Sequence, residues 1–441
     1  MRRLRVGPPR DRSRRVILAF TLLVFGAGFG RVLQRPSAAP FGGMRVPPAT
    51  GGEASFETRF VSRRHDATAH AASLVELGDG RLRAFWFSGS QEGAVDVEIL
   101  SATFDPATGW RDERSVVGPE RTRRALWRHV VKVGNATALR ARDGTLWLFY
   151  VTVSVGGWGG STVTAIRSRD DGLSWRPPRR LIGAAFFNLN TMVRGAPFEY
   201  ADGTIGLPAY QSLLSGFSEL LRVDPTGAVI DKQRLSTPGR GSQPTILATS
   251  PAQAVAFMRH SGRGADPRVT MSHTQDGGRH WTPPTRTPLK NPDSAVGGVA
   301  LPERGLVLLA LNDVDTERDV LSLVVSGDGG RSFVAIHRLE DQFASRSEPP
   351  DDGRYAMTVE ALARATDASV GDARPFVRSS RRFMCWEPRC HFEFSYPFLL
   401  RTDRGEFHLL YTWNRAYIKH VRFNQAWLDQ RLRSPSRASA R

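Results

Sequence analysis

Apolar and polar residues fall along most of this chain in one repeated arrangement: an apolar run, a turn that often holds Asp-Gly, and a second apolar run. It begins at His70 (HAASLVELGDGRLRAFWF), Asn135 (NATALRARDGTLWLFYV), Asn190, Ser242, Ser294 and Ser395 (SYPFLLRTDRGEFHLLYTWN). Alternating runs rich in β-branched and aromatic residues, split by Asp-Gly, predict β-hairpins. One hairpin cannot bury both of its faces, but neighbours stacked in a ring can, so six hairpins at a near-regular spacing predict an all-β propeller of six blades.

A second pattern follows the hairpins. SRDDGLSW from Ser168, TQDGGRHW from Thr274 and SGDGGRSF from Ser326 share Ser/Thr-x-Asp-x-Gly-x-x-aromatic, and FDPATGW and VDPTG are weaker copies. The acidic residues Asp105, Asp170, Asp224, Asp276 and Asp328 follow one another at intervals of 65, 54, 52 and 52. Each comes after a third strand, where an Asp accepts backbone hydrogen bonds, Gly allows the bend and the aromatic packs between sheets. Asp170, Asp276 and Asp328 are therefore expected to be structural, not catalytic.

The remaining segments fill out the organisation. Residues 55–423 are expected to form the propeller, with an insertion at about 334–394 lying over one mouth of the ring. The sixth hairpin is followed by only one more strand, ending at Phe423, so Ser55–Val61 (SFETRFV) is placed to supply the missing one. Residues 424–441 read as a polar, basic tail, and residues 32–54, rich in Pro, Gly and Ala, as a linker. A basic start and the apolar run Val16–Gly30 make residues 1–31 a signal or signal-anchor segment, expected as an uncleaved transmembrane helix with the bulk of the chain outside the cytoplasm; secretion after cleavage is the alternative. Cys385 and Cys390, in CWEPRC, suit a small disulfide loop in an exported protein.

Charge narrows the partners. The chain carries a formal net charge of +18, nearly all from arginine. That balance suits anionic polysaccharide or lipid headgroups, but the arginines are scattered and no nucleic-acid-binding motif accompanies them, so nucleic acid is not an expected partner. His65, Asp66 and His70 lack further ligands for a metal. Phosphate-binding glycine loops, Gly-x-Ser-x-Gly elbows and Cys-x-x-Cys pairs are absent, and no cofactor is expected.

The three strong acidic turns have the form of Asp boxes, or bacterial neuraminidase repeats, and the chain from about Ser55 to Phe423 resembles the sialidase superfamily. The resemblance implies a six-bladed propeller of sialidase type and an exo-α-sialidase-like hydrolase acting on cell-surface or envelope glycans. It also implies a mouth lined by the starts of first strands and the ends of second strands, with an arginine clamp, an acid/base and a tyrosine nucleophile, a recognised exception to the usual carboxylate pair. Tyr396 falls where the nucleophile does, and Arg259 matches a clamp arginine. Glu92 is the acid/base candidate, because Asp96 resembles a structural residue. His70 stands where an Arg-Ile-Pro motif would open blade one, and Gln243 replaces a Glu in blade four. Asn190 shares the strand-start position with Asn135, Gln243 and Ser294, while Trp413, Asn414 and Arg415 offer a sugar-binding palette. Arg194, Arg259 and Arg415 form an alternative clamp. A noncatalytic glycan-binding or envelope-assembly propeller remains the competing reading, and a polysaccharide lyase a third, favoured if Tyr396 and His70 meet across an arginine-lined groove.

Overall fold

A computed structural model describes residues 11–33, 39–42, 46–47, 52–184, 188–213, 216–262, 266–386 and 389–434. The first ten residues, most of the linker and the tail after Ser434 lie outside the described residues. Residues 1–38 form one unit and residues 39–441 another. The first unit contains the helix Asp11–Leu33, which covers the apolar run. No helix among the described residues is long and apolar enough to cross a membrane. The transmembrane expectation accordingly finds no support among the described residues, and the apolar run Val16–Gly30, fifteen residues, is short of the about 20 that a span requires.

The second unit is a ring of six antiparallel sheets. Blade one runs Thr68–Glu76, Leu82–Gly89, Glu98–Asp105 and Gly109–Val117 from the inside outward. Blades two, four and five repeat this meander, and in blade three the first strand breaks into Met192–Val193 and Phe198–Glu199. Blade six takes Phe394–Arg401, Phe407–Trp413 and Tyr417–Phe423 from the end of the chain and its fourth strand, Phe56–Phe60, from the beginning. The register runs from Phe56 opposite Phe423 to Phe60 opposite Lys419.

Apolar burial explains the ring. Among the described residues there are six buried clusters, and each fills the seam between two neighbouring blades. The acidic turns sew these seams. Asp170 accepts from Ser168 Oγ at 2.6 Å and from Ser174 N at 2.9 Å, Asp276 from the backbone of Arg279 and His280, and Asp328 from that of Arg331 and Ser332. The hydrogen bonds hold Asp170 well below the usual carboxylate range, at about 2. Each turn then hands its aromatic ring to the preceding blade: Trp175 packs edge-on against Phe85, and Phe333 against Phe257. Trp175→Ala should cost about 2–3 kcal/mol, because the ring is only half-buried, and a urea unfolding curve checks this.

Three segments depart from expectation. Val334–Asp341 is the fourth strand of blade five, so the insertion begins after it. The helices Asp352–Thr366 and Arg374–Met384 bury Tyr355, Val359, Ala363 and Met384 in the cluster between blades five and six. Thr58 Oγ1 donates to the Thr366 carbonyl, and Phe60 stacks near Phe376. The insertion thus flanks the outer strand of blade six instead of covering the mouth, because its apolar faces have the ring's outer edge to bury against. The tail begins as a helix, Gln425–Arg433, capped by Asn424 Oδ1, with Trp427 and Leu428 buried and Trp427 stacked on Phe56. Finally, Ala39–Gly42 of the linker docks on the propeller, with Phe41 bridged to Tyr200 and stacked on its ring.

The seam between blades six and one buries a histidine chain. His408 Nδ1 lies 3.0 Å from His420 Nε2, and Trp110 Nε1 donates to His420 Nδ1 at 3.0 Å. Burial pushes His420 well below its ordinary value and lowers His408 despite Glu406 beside it; His70 and His337 are pushed down to about 4. The unfolded chain takes up protons near pH 6.5 that the folded chain refuses, so stability falls as pH drops through about 6.5. A series of melting temperatures from about pH 7.5 to 5 should show the decline, and the slope should flatten in a His408→Gln/His420→Gln variant.

Candidate active site

The mouth of the ring is built from a bulge repeated in the innermost strands. Register shifts fall between His70 and Ser73, Gly134 and Thr137, Ser242 and Thr245, and Ser395 and Phe398. The residue after the first of each pair has a left-handed backbone: Ala71 (φ 53°), Asn135 (φ 38°), Gln243 (φ 48°) and Tyr396 (φ 53°). A bulge inserts one residue and re-aims its side chain, and a bulky aromatic at positive φ persists only where its surroundings force it. For Tyr396 the clamp is Arg194, whose NH2 donates to the Tyr396 carbonyl at 2.6 Å and whose guanidinium lies 5.5 Å from the ring centroid. Arg194 is 3% exposed, and burial lowers its pKa to about 10.

Around these bulges an open cavity of about 960 Å³ is lined by Glu92, Tyr210, Gln243, Arg259, Asp293 and Tyr396, among others. Arg259 is its hub. Its Nε donates to Asp293 Oδ1 at 2.6 Å, and its NH1 to Gln243 Oε1 at 3.1 Å and Tyr396 Oη at 3.3 Å. Burial works against the guanidinium charge, but Tyr396 and Asp293 outweigh it and raise the pKa. Gln243 Nε2 and Asn135 Nδ2 both donate to Tyr210 Oη, at 3.2 and 2.9 Å.

Behind Tyr396 lies His70, 2% exposed, with ring centroids 4.5 Å apart in an edge-on pair. His70 Nε2 is 3.9 Å from Glu92 Oε2, and His70 Nδ1 is buried without a partner. A second carboxylate, Glu393, stands just before the first strand of blade six. Burial raises its pKa, but Arg318, His70 and Arg415 prevail and bring it to about 2. Arg318 NH1 lies 3.2 Å and Arg415 Nε 2.6 Å from its two oxygens, and Ser395 Oγ donates to it at 2.6 Å. Arg318 also lies 5.8 Å from the Tyr396 ring centroid.

The structure therefore brings Glu92, Gln243, Arg259 and Tyr396 to one cavity, with His70 at its back. Other expected sugar contacts lie elsewhere. Trp413 is 0% exposed and packs edge-on against Phe60, because alternation along its strand turns it into the seam. Asn414 is equally buried, and its Oδ1 accepts from Glu393 N at 3.1 Å, so it positions Glu393. Asp96 accepts from Ser90 N and Oγ and closes its own loop. Asn190 accepts from the backbone of Ser212 and Leu213 and holds a rim loop. Arg415 is spent on Glu393. His70 is displaced from the mouth because Ala71 takes the bulge position. Tyr210, Asp293, Arg318 and Glu393 were not singled out from sequence; Asp293 and Glu393 carry a signal of sorts, each standing directly before a strand-start serine or phenylalanine in the hairpin repeat.

Comparison with known proteins agrees with this architecture. A family described as a BNR repeat-like domain matches residues 80–409. The chain belongs to that family. No curated protein matches it in sequence. Among solved structures, the Hadza microbial sialidase Hz136 superimposes with a TM-score of 0.56 at 16% identity over 80% of this chain and 65% of that one. This chain thus spans less than two thirds of that relative. The NanB sialidase of Streptococcus pneumoniae gives 0.58 at 9% identity over 83% and 70% of the two chains, and the intramolecular trans-sialidase of Ruminococcus gnavus gives 0.56 at 10% over 82% and 95%. At these identities the likeness is one of fold: this BNR repeat-like protein is a sialidase-like propeller.

Proposed function

We propose that the protein is a glycoside hydrolase of sialidase type, acting on cell-surface or envelope glycans with Tyr396 as nucleophile and Glu92 as acid/base. One observation carries the reading: Tyr396, forced into a left-handed bulge, receives a hydrogen bond on its hydroxyl from Arg259 and opens onto the same cavity as Glu92. Attack of the Tyr396 oxygen on the anomeric carbon forms a glycosyl-enzyme while the bond to the leaving oxygen breaks. The phenolic proton goes by way of Glu92 to the leaving oxygen, and Arg259 stabilises the charge passing through the phenolic oxygen. Water, deprotonated by Glu92, then releases the sugar. Gln243, which cannot take a proton, orients Arg259 instead.

The disulfide between Cys385 and Cys390 supports an oxidising location outside the cytoplasm. The test is release of fluorophore from α-sialosides, neutral glycosides and uronides by the purified protein. Glu92→Gln should lower kcat by about 10²–10⁴ on poor leaving groups and less on activated ones, since general-acid help matters most for the former. A second reading rests on the meeting of His70 and Tyr396 among arginines, which suits a polysaccharide lyase. It predicts an unsaturated, ultraviolet-absorbing product in place of hydrolysis, and silence on every substrate would leave a glycan-binding propeller.

A further inference from the structure

The mouth arginines bear on what kind of sugar the site accepts. Arg259 of blade four lines it, and Arg318 of blade five and Arg415 of blade six meet on Glu393, with Arg318 5.8 Å from the Tyr396 ring centroid. Each is already engaged by a carboxylate of the protein. Arg259 Nε holds Asp293 at 2.6 Å; Arg318 NH1 and Arg415 Nε hold opposite oxygens of Glu393 at 3.2 and 2.6 Å. The remaining bonds are also internal: Arg318 NH2 donates to the Asp293 carbonyl at 2.8 Å, and Arg259 NH1 to Gln243 and Tyr396.

Glu393 is 5% exposed and bound on both oxygens, with its backbone N held by Asn414. A carboxylate so placed occupies the space between two guanidinium groups that an incoming carboxylate would need. Displacing it would strand a buried charge, which is more costly than the new contact is favourable. The rest of the cavity offers amide and hydroxyl groups, among them Asn135, Ser212, Gln243 and Ser261, which pair with sugar hydroxyls.

We infer that Glu393 and Asp293 are resident carboxylates that fill the arginine sites, so that the mouth takes an uncharged glycoside in preference to a sialoside or uronide. The inference rests on the glycosidase reading for the site it describes, and it is read out by binding, which does not require turnover. Built-in repulsion is a common route to selectivity of this kind.

The experiment uses the purified full chain at low salt and three ligand pairs that differ in charge: glucose and glucuronic acid, galactose and galacturonic acid, and N-acetylneuraminic acid and its methyl ester. Dissociation constants are measured by calorimetry or ligand-observed NMR for the wild type, Glu393→Gln and Asp293→Asn. The expected result is that the uncharged member of at least one pair binds about tenfold more tightly to the wild type, and that each variant moves that ratio about tenfold towards the acid. Asp293 has a largely exposed side chain, so its variant remains informative if Glu393→Gln does not fold. An acid that wins by about tenfold in the wild type, ratios unmoved in a folded variant, or no binding by any member each overturn the inference. Preference intact with no glycoside turned over would remove the hydrolase reading alone.

Discussion

Tyr396→Phe should lower kcat on any glycoside the protein cleaves by about 10³-fold or more, equivalent to roughly 4 kcal/mol of barrier. The phenylalanine keeps the ring against His70 and above Arg194, and keeps the left-handed backbone, so the substitution removes one oxygen and the bond from Arg259. The stability change should be small, on the order of 1 kcal/mol, the usual worth of one hydrogen bond. The split is diagnostic: a melting temperature close to wild type beside lost turnover assigns the effect to chemistry. Retention of more than about a tenth of the activity would remove Tyr396 as nucleophile, because no alternative oxygen occupies its position.

Lys419→Met should destabilise the propeller by about 3–5 kcal/mol, the cost of leaving a buried charge without its partner. Lys419 Nζ lies 2.6 Å from Glu340 Oε1 in the seam between blades five and six, with side chains 8% and 3% exposed, and Tyr411 Oη donates to the same oxygen at 2.7 Å. Burial and Glu340 together raise the Tyr411 pKa well above its ordinary value, so the tyrosine stays a neutral hydrogen-bond donor and leaves the Glu340 charge uncompensated. A Lys419→Met/Glu340→Gln double variant should recover most of the loss, since the amide leaves no charge unpaired. Chemical denaturation of the wild type, both single variants and the double variant closes the cycle, and a double variant no better than Lys419→Met would contradict the account.

Much of this fold can be read from local chemistry. The hairpins follow from alternation and Asp-Gly turns, and the acidic turns follow from side chains that hydrogen-bond to their own backbone, which is why Asp170, Asp276 and Asp328 are readable as structural. What sequence does not carry is convergence. Glu393 acquires its role only where blade six meets Arg318 of blade five, and the run Trp413, Asn414, Arg415 looks like one surface although its members turn to the seam, to Glu393 N and to the Glu393 carboxylate. Positive φ at Asn414 (49°) and Arg415 (54°) breaks the alternation on which that reading depended. The strand Val334–Asp341 is masked by its alternate exposed and polar positions, and the terminal helix by a charged composition that hides Trp427 and Leu428.

The strand Phe56–Phe60 emerges from the ribosome before any of the six hairpins, yet its partner Tyr417–Phe423 is made only after the other five blades. At about 5–20 residues per second, roughly twenty seconds to over a minute of synthesis separates the two. During that interval the early strand has no neighbour on its pairing edge, because the other three strands of its blade have not yet been made. An unpaired β edge invites pairing with another chain. Only when Phe56–Phe60 pairs with Tyr417–Phe423 is that edge protected from other copies of the protein, and a chain stalled a few residues short of Phe423 would remain an open, adhesive sheet.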